Sequence, residues 1–264
     1  MKVEPTKPAA GYVGGKSKLA KKLSPLIDSL SYDTYVEPFI GMGSVFFQRQ
    51  KASKSEVIND RSGDISNFFR IIQRHYPQFL EMLCFQISNR REFERLKKCD
   101  PDTLTDLERA LRFLYLQKLA FGQKIIGRTF GVTTSESARF NSEKLTVLLE
   151  KIHKRLAGVV IENLDWKDLI PRYDREGTLF YCDPPYYGTE HYYGKDLFDR
   201  SQYALMSDVL SGIKGRFVLS INDTPEIREI FSHFNIEEVS VLYTLSRGDP
   251  SENKELIITN FNRV

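Results

Sequence analysis

The residues best suited to chemistry are Asp183-Pro184-Pro185-Tyr186, which directly follow the apolar run 178–182. In an open α/β sheet, ligands bind at the carboxyl ends of the strands. Proline fixes its own φ and has no N–H, so the Pro184 carbonyl is held as an acceptor beside the Asp183 carboxylate. An aromatic ring with an amino group could donate to both acceptors and stack on Tyr186. The motif therefore predicts a pocket for a flat, amino-bearing heterocycle.

A glycine turn forms the second group of candidate residues. The predicted strand 34–39 opens into Gly41-Met42-Gly43, and glycine lets a backbone approach a ligand without a Cβ in the way. Asp60 ends the next predicted strand about twenty residues downstream, where acids bind the ribose diol in dinucleotide sites. A purely structural turn is equally compatible with Gly-x-Gly alone, but Glu37 and Asp60 at neighbouring strand ends favour a nucleoside-type ligand. Because a third spaced glycine and a Walker lysine are lacking, the turn does not favour a phosphate cradle.

Two further segments permit both a ligand role and a structural one. Tyr12 and Lys16 lie in the glycine-rich stretch 11–18, where they either contact a ligand or form a flexible turn with a solvated lysine. Asp165 and Trp166 follow the predicted strand near 158–162. The single tryptophan of the chain is either a core residue or a border of an adenine ring.

The order of predicted elements explains how these residues come together. Up to residue 75 the chain reads as strand, glycine turn, helix, strand, acid and helix, the plan of a nucleotide-binding half sheet. We expect a helical stretch from Ser44 to about Gln50, and Asp64 is placed to cap the next helix. Apolar residues recur at helical spacing in 104–121 and 145–156. Strands are predicted again near 158–162, 178–182, 216–221, 237–243 and 255–260, with helices at 201–211 and 225–231.

The simplest architecture is one α/β sheet domain interrupted by a mainly helical insertion. The sheet domain takes residues 1–75 and 157–264, and the insertion takes 76–156. Within the insertion, 121–134 mixes glycines, β-formers and basic residues, as expected of an exposed hairpin or loop. Residues 86–160 carry 15 Lys/Arg against 9 Asp/Glu, a net of +6 in a chain of net +3. This charge favours a polyanion-binding surface, with solvated helix faces as the open alternative.

Composition argues against several classes of protein. The 264 residues are 41% hydrophobic and 28% charged, which is ordinary for a soluble globular protein. No stretch approaches the roughly 20 apolar residues of a membrane helix, and the start lacks the apolar region of a secretory signal. Cys84, Cys99 and Cys182 are too few and too far apart for a disulfide framework or a zinc site, and fit a reducing cytosol. We therefore expect a cytoplasmic protein that uses neither a membrane nor a metal.

Taken in order, the motifs resemble those of the Dam-type (D12 class) DNA adenine-N6 methyltransferases. The matching residues are Tyr12, Gly15, Lys16, the segment 37–43, Asn59, Asp60 and the segment 183–186. The resemblance covers nearly the whole chain and implies a Rossmann-like methyltransferase sheet with helices on both faces. It also implies S-adenosylmethionine as cofactor, S-adenosylhomocysteine as product, double-stranded DNA as partner, and the cytoplasm of a bacterium or a phage-infected host.

The resemblance further implies a role for each motif. The target base would be gripped by the catalytic motif, Asp183, Pro184, Pro185 and Tyr186. Asp60 would hold the ribose hydroxyls of the cofactor, and Asp165 with Trp166 its adenine. The remaining cofactor-binding residues would be those of the N-terminal segment and of the glycine turn: Tyr12, Gly15, Lys16, Glu37, Pro38, Phe39, Gly41 and Gly43, with Asp183 beside them.

The insertion departs from the better-known family members. Those often carry an Arg-x-Asn-like hairpin followed by a Phe-Asn-x-Pro-x-Gly-like stretch, whereas 124–131 keeps only basic, glycine and aromatic character. Phosphate contacts need only positive charge and backbone amides, so DNA binding is still expected despite the difference. The target sequence of the better-known members cannot be assigned to this chain. Arg128 is the candidate base-edge contact and Lys124 the candidate phosphate contact. Tyr192 and Tyr193 are candidates for stacking on the base, and all four have a plain surface role as the alternative.

These inferences predict a site-specific methyltransferase acting on N6 of a flipped-out adenine in double-stranded DNA. Two acceptors on the amino group would favour a pyramidal nitrogen and stabilise the charge that develops on it. A monomer is expected, with a dimer on DNA as the alternative. The competing functions are methylation of an RNA adenine or of another exocyclic amine, and a catalytically silent DNA-binding module. Aspartate at position 183 argues against cytosine and glutamine substrates, and the intact motifs argue against a silent module.

Overall fold

A seven-stranded sheet organises the part of the chain that the structure, a computed structural model, describes: residues 1–12, 16, 18–132, 138–189, 198–243 and 251–262. The strands are β1 (Thr34–Glu37), β2 (Ser55–Asn59), β3 (Val160–Glu162), β4 (Thr178–Cys182), β5 (Arg216–Asn222), β6 (Asn235–Tyr243) and β7 (Ser251–Thr259). They lie in the order β3-β2-β1-β4-β5-β7-β6, and β7 alone among them pairs antiparallel with both neighbours. The order reverses between β1 and β4, which makes their carboxyl ends a topological switch point where such sheets bind ligands.

Burial along β4 reflects its central place between β1 and β5. All five of its residues are buried, which accounts for an apolar run without polar alternation. Successive side chains face opposite sides of the sheet. Leu179 and Tyr181 join one hydrophobic cluster, and Phe180 and Cys182 join the other. Helices cover both faces, so the predicted α/β fold is confirmed.

Among the described residues, single α-helices connect β3 to β4, β4 to β5 and β5 to β6, and a largely helical stretch connects β2 to β3. In the described ranges the helices are α1 (Ala20–Ser29), α2 (Gly63–Arg74), α3 (Tyr76–Leu83), α4 (Arg90–Lys98), α5 (Asp106–Leu119), α6 (Ser142–Leu156), α7 (Trp166–Tyr173), α8 (Ser201–Ser211) and α9 (Pro225–Ile230). None of these helices is long and apolar enough to span a bilayer.

Two local predictions are wrong. In place of a helix from Ser44 to Gln50, only the short 3-10 turn Phe46–Gln48 forms. The carbonyls of Phe47 and Gln50 accept hydrogen bonds from the N-terminal segment, which removes them from helical pairing. Asp64 does not cap α2, because Ser62 occupies the N-cap position and Asp64 lies in the first turn. Its carboxylate instead accepts from Arg109 Nε at 2.6 Å.

The stretch from α3 to α6 packs on the sheet domain through α2. Phe68 of α2 forms ring contacts with Phe79 of α3 and Phe113 of α5, and one apolar cluster continues from the sheet face into these helices. At the start of α5, Thr105 and Glu108 form a reciprocal capping box that fixes where the helix begins. The division into a sheet domain and an insertion at residues 75 and 157 stays a prediction.

A hairpin follows α5, and we call residues 119–131 the recognition hairpin. The Phe121 N–H donates to the Thr129 carbonyl at 2.8 Å, and the Gly131 N–H donates to the Leu119 carbonyl at 2.8 Å. A Cβ on Gly131 would lie 3.2 Å from that carbonyl oxygen, so the close pairing favours glycine. The hairpin thus holds its tip, residues 122–128, at a fixed distance from α5. Residues 133 and 134 of the predicted loop lie outside the described ranges.

Candidate active site

A cavity of about 970 Å³, measured with its open mouth, lies at the switch point between β1 and β4. It is lined by residues from the ends of β1, β2 and β4, from the N-terminal segment, from the start of α7 and from the recognition hairpin. Ten of the lining residues are predicted cofactor-binding residues: Tyr12, Lys16, Glu37, Pro38, Phe39, Gly41, Asp60, Asp165, Trp166 and Asp183. The sequence motifs therefore converge on one site.

The glycine turn is held from below by Asp60. Gly41 and Gly43 have φ values of +51° and +77°, which side chains rarely adopt. One Asp60 oxygen accepts from the Gly41 N–H at 3.0 Å, and the other accepts from the Ser62 N–H at 2.9 Å. Burial raises the pKa of Asp60 to about 6, although both N–H groups oppose the shift. Gly43 does not line the cavity; it packs on Phe47, whose ring leaves no room for a Cβ.

Asn59 ties together three strand ends beneath the cavity. Its Nδ2 donates to the Pro38 carbonyl at 2.8 Å and to the Leu164 carbonyl at 3.1 Å, and its Oδ1 accepts from the Leu164 N–H at 2.8 Å. Asn59 is buried, so these bonds satisfy an amide that would otherwise be costly to bury. The segments after β1 and β3 are thereby fixed to the end of β2.

An aromatic wall closes one side of the cavity. The Phe39 ring lies 6.5 Å from the Trp166 ring and 6.1 Å from the Phe198 ring, measured between centroids. Trp166 is only 3% exposed and also lines the cavity, so its position is compatible both with a core residue and with a border of a ligand. Asp165 caps α7 by accepting from the Lys167 N–H. Phe198 was missed from the sequence because it lies beyond any motif.

Lys16 reaches the catalytic motif from the N-terminal segment. Its Nζ lies 3.1 Å from Asp183 Oδ1 and 3.1 Å from Glu255 Oε2. It also donates to the Tyr186 hydroxyl and lies 3.8 Å from the centroid of that ring. Lys16 and Glu255 are each only 1% exposed, so the contacts are shielded from water. Glu255 was not foreseen, although an acid opening the apolar stretch 256–258 is a signal of a buried partner.

Asp183 is held between a cation and a hydroxyl pair. Ser220 Oγ donates to Asp183 Oδ1 at 3.2 Å, and the Tyr181 hydroxyl lies 2.8 Å from Ser220 Oγ. Burial raises the pKa of Asp183 to about 6; the Lys16 charge opposes this shift and Glu255 adds to it. The carboxyl group is therefore mostly ionised at neutral pH and loses its charge in mild acid.

Two side chains anchor the backbone at Pro185 and Tyr187. The Tyr203 hydroxyl donates to the Pro185 carbonyl at 2.9 Å. Asn222 binds Tyr187 twice, accepting from its N–H at 2.9 Å and donating to its carbonyl at 3.1 Å. Within the described ranges no group donates to the Pro184 carbonyl. The Pro184 carbonyl, next to Asp183 in the chain, therefore keeps its accepting capacity, although Pro184 itself does not line the cavity.

Glu37 is a buried carboxyl group in the cavity lining. It is 2% exposed, and its Oε2 accepts from the Tyr35 hydroxyl at 2.8 Å. Burial raises the pKa of Glu37 to about 8, against the opposing effects of Tyr35 and Arg49. Glu37 therefore carries a proton at neutral pH as long as no positive charge lies beside it.

Two of the predicted DNA-binding residues, Lys124 and Arg128, lie at the tip of the recognition hairpin. Lys124 is exposed at the hairpin tip. Arg128 is half-buried, and its guanidinium donates to the Lys124 carbonyl at 3.2 Å and to Gln117 Oε1 at 3.2 Å. Gly15, Tyr192 and Tyr193 lie outside the described residues. Across the described residues, no group of three or more His, Cys, Asp or Glu side chains could hold a metal ion.

Comparison with known proteins gives the site its context. The Type II methyltransferase M1.LlaDCHI of Lactococcus lactis subsp. cremoris is 26% identical, over 97% of this chain and 95% of that protein. The Type II methyltransferase M.CviBI of Paramecium bursaria Chlorella virus NC1A is 22% identical, over 97% and 100%. A DNA adenine methylase of Serratia marcescens is 25% identical, over 85% and 89%. Residues 12–245 match the model of one family, and the chain accordingly belongs to the D12 class N6 adenine-specific DNA methyltransferases.

Proposed function

We propose that this protein transfers a methyl group from S-adenosylmethionine to N6 of an adenine that is flipped out of double-stranded DNA. The observation that carries the proposal is a pair of neighbouring acceptors, the Asp183 carboxylate that lines the cavity and the Pro184 carbonyl that follows it in the chain. Asp183 is 19% exposed and ionised at neutral pH. The Pro184 carbonyl beside it receives no hydrogen bond from any described group. A primary amino group on a flat ring has the two N–H donors that this pair would accept.

The charge of the cavity fits a positively charged cofactor. Four lining residues carry carboxyl groups, Glu37, Asp60, Asp165 and Asp183, and two carry cations, Lys16 and Arg61. Lys16 binds Asp183, and Arg61 lies 3.8 Å from Asp165. Neither Glu37 nor Asp60 forms an ion pair with a described lysine or arginine. The cavity therefore keeps two carboxyl groups for a ligand that carries positive charge.

S-adenosylmethionine, when bound, supplies a methyl group on a positively charged sulfonium, which is already an activated leaving group. Glu37 and the Gly41 turn would hold its methionyl part, Asp60 its ribose hydroxyls and Trp166 its adenine. The carboxylate of Asp60 has accepting capacity beyond its two backbone bonds. The aromatic wall beside Trp166 supports this assignment.

The chain's own residues would act mainly by alignment. The amino nitrogen of adenine is a poor nucleophile because its lone pair is delocalised into the ring. Asp183 and the Pro184 carbonyl would accept its two N–H groups and turn the lone pair toward the cavity. Positioning of this kind can supply a large part of a rate enhancement, and Asp183 would also stabilise positive charge developing on the nitrogen.

The DNA would approach over the recognition hairpin. An adenine inside a duplex is out of reach, so the base must be unstacked, and an aromatic side chain can replace part of the lost stacking. We assign that role to Tyr186, with Tyr192 and Tyr193 as further candidates, and we keep Lys124 and Arg128 as phosphate and base contacts. We place the protein in the cytoplasm as a monomer. Two relatives are Type II methyltransferases, which supports a role beside a restriction enzyme.

The proposal is tested by methyl transfer from labelled S-adenosylmethionine to unmethylated duplex DNA, RNA and single-stranded DNA. We expect label in duplex DNA, and N6-methyladenine as the modified nucleoside after enzymatic digestion and mass spectrometry. Label in N4-methylcytosine, or in RNA alone, would replace the proposal by one of its rivals. A protein that binds cofactor and DNA without any transfer would be the silent module.

Cofactor binding at neutral pH should release a proton from Glu37. Its pKa of about 8 leaves it mostly protonated at pH 7, and a nearby positive charge favours ionisation. Calorimetric titration with S-adenosylmethionine in buffers of different ionisation enthalpy should show a release approaching one proton per cofactor. Glu37→Gln should bind more weakly and release none. Equal release by the two proteins would assign the proton to another group.

Tyr186→Ala should impair flipping more than Tyr186→Phe does. The phenylalanine variant keeps the ring for stacking and loses the hydroxyl bond to Lys16. Base–aromatic stacking contributes about 1–3 kcal/mol by alanine substitution, so the alanine variant should lose roughly that much affinity for the productive complex. Fluorescence of 2-aminopurine at the target position would report the unstacked base. Equal signals from wild type and Tyr186→Ala would contradict a stacking role.

A further inference from the structure

The strongest feature that the proposed mechanism does not use is the buried amide of Gln117, near the end of α5. Gln117 is 1% exposed. Its Nε2 donates to the Gly11 carbonyl at 2.9 Å and to the Gln123 carbonyl at 2.9 Å. Its Oε1 accepts from Arg128 Nη2 at 3.2 Å. One side chain therefore binds three groups: the Gly11 carbonyl, the Gln123 carbonyl and the Arg128 guanidinium.

Two of these groups belong to the tip of the recognition hairpin, and the third belongs to the N-terminal segment. Gly11 precedes Tyr12, which lines the cavity together with Lys16. The hairpin tip contributes Ile125 to the same cavity lining. Gly11 also packs directly on the Gln123 side chain, with no room for a Cβ between them. The surface that would meet DNA and the segment that would cover the cofactor are thus in contact.

A buried amide is rarely left without hydrogen-bond partners. If the hairpin tip shifts when it meets DNA, the Gln117 amide must keep or exchange its bonds to Gln123 and Arg128. Because the same Nε2 also binds Gly11, the position of Gly11 and of the adjacent Tyr12 is tied to the position of the tip. The guanidinium of Arg128, the candidate base contact, takes part in the same arrangement.

We propose that Gln117 is a positioning residue that couples engagement of DNA by the recognition hairpin to the position of Tyr12 at the cofactor cavity, through its hydrogen bond to Gly11. The proposal rests on the proposed function. Its consequence is that DNA and cofactor strengthen each other's binding through this amide, and such coupling is reciprocal between the two ligands.

The experiment measures the affinity for S-adenosylhomocysteine, which permits no turnover, with and without a duplex that contains a mapped methylation site. For the wild type we expect the duplex to tighten S-adenosylhomocysteine binding at least about fivefold, the lower end of typical coupling. In Gln117→Leu the ratio should fall toward one, with KM for DNA rising more than kcat falls at saturation.

Two further variants separate coupling from general damage. Gln117→Glu keeps the side-chain shape and the contact with Arg128 but cannot donate to the two carbonyls, so its ratio should also fall, even if the leucine variant folds poorly. Gln73→Leu is the matched control, because Gln73 Nε2 likewise donates to two carbonyls, those of Leu156 at 2.9 Å and Val159 at 2.7 Å, away from both segments. It should keep the wild-type ratio.

The coupling proposal is overturned if the wild-type ratio is one, if both Gln117 variants keep the wild-type ratio, or if Gln73→Leu loses it equally. Methyl transfer to DNA by the wild type, measured in parallel, keeps the two proposals apart. Methyl transfer together with an affinity ratio of one would support the proposed function and contradict the coupling. Absence of transfer and of DNA binding removes both.

Discussion

Asp183→Ala should lose nearly all methyl transfer while binding S-adenosylmethionine within a few-fold of the wild type. In the proposed mechanism, the variant removes one of two acceptors for the amino group and the negative charge that would stabilise the reacting nitrogen. Removing one fixed electrostatic partner of a transition state typically costs about 10²- to 10³-fold in kcat, and we expect at least that loss. Single-turnover transfer and calorimetric cofactor binding measure the two properties separately.

The conservative variant Asp183→Asn sharpens this result. This variant loses the negative charge, but its amide oxygen can still accept one N–H. It should therefore retain more activity than Asp183→Ala. In the wild type, kcat should fall as pH falls through about 6, since protonation of Asp183 removes its charge and one accepting position. The residual activity of Asp183→Asn should lack this acid limb. If the limb persists there, Asp60, whose pKa is also about 6, is the responsible group.

Lys16→Met should have the second largest effect, on both stability and activity. The substitution leaves two buried carboxyl groups, Asp183 and Glu255, without their shared cation. Removing one partner of a buried ion pair typically costs about 3–5 kcal/mol in unfolding free energy. Loss of the cation also raises the pKa of Asp183, so the acid limb of kcat should move to higher pH. Denaturant titration and a pH–rate profile measure the two effects.

The size of the stability effect depends on pH. Without Lys16 the Asp183 carboxylate is disfavoured as an anion in the folded state, so the destabilisation should grow as pH rises and shrink in acid. Adding Glu255→Gln to the variant should restore part of the stability, because one uncompensated charge is then gone. Lys54→Met is the control, since Lys54 pairs with Asp33 at an exposed site, 83% and 65% exposed, where an ion pair contributes little. If the loss of unfolding free energy caused by Lys16→Met does not change with pH, the ion-pair explanation is contradicted.

How far the sequence predicts the site depends on where each residue's partners lie along the chain. β4 and the motif after it were predictable, because an apolar run ending in Asp183 is a local pattern with one favourable fold. The strand ends, Asp60 and the glycine turn were predictable for the same reason, because each is a local sequence pattern. Lys16 was assigned to the cofactor alone, since no local pattern reveals that its ammonium group binds Asp183. That contact depends on the packing of the N-terminal segment against the sheet.

Residues that act through long-range pairing could not be read from the chain. Glu255 reaches the site only because β7 inserts antiparallel beside β5, a register that sequence periodicity does not specify. Gln117 looks like an ordinary helix residue until the hairpin folds back over α5. The helix predicted from Ser44 to Gln50 was wrong for the same reason. The carbonyls of Phe47 and Gln50 accept hydrogen bonds from residues more than forty positions earlier in the chain.

The Lys16–Glu255 contact joins residues 239 positions apart. Closing so large a loop carries an entropic cost that has to be met before the contact gains anything, and contacts of this kind form late in folding. Helices such as α5 can form early from local bonds, whereas the Asp183 and Glu255 carboxylates acquire their shared cation, Lys16, only when both ends of the chain have assembled on the sheet. During refolding, the return of methyl transfer should therefore lag behind the return of helical circular dichroism. A partly folded chain is kept from modifying DNA by its own topology.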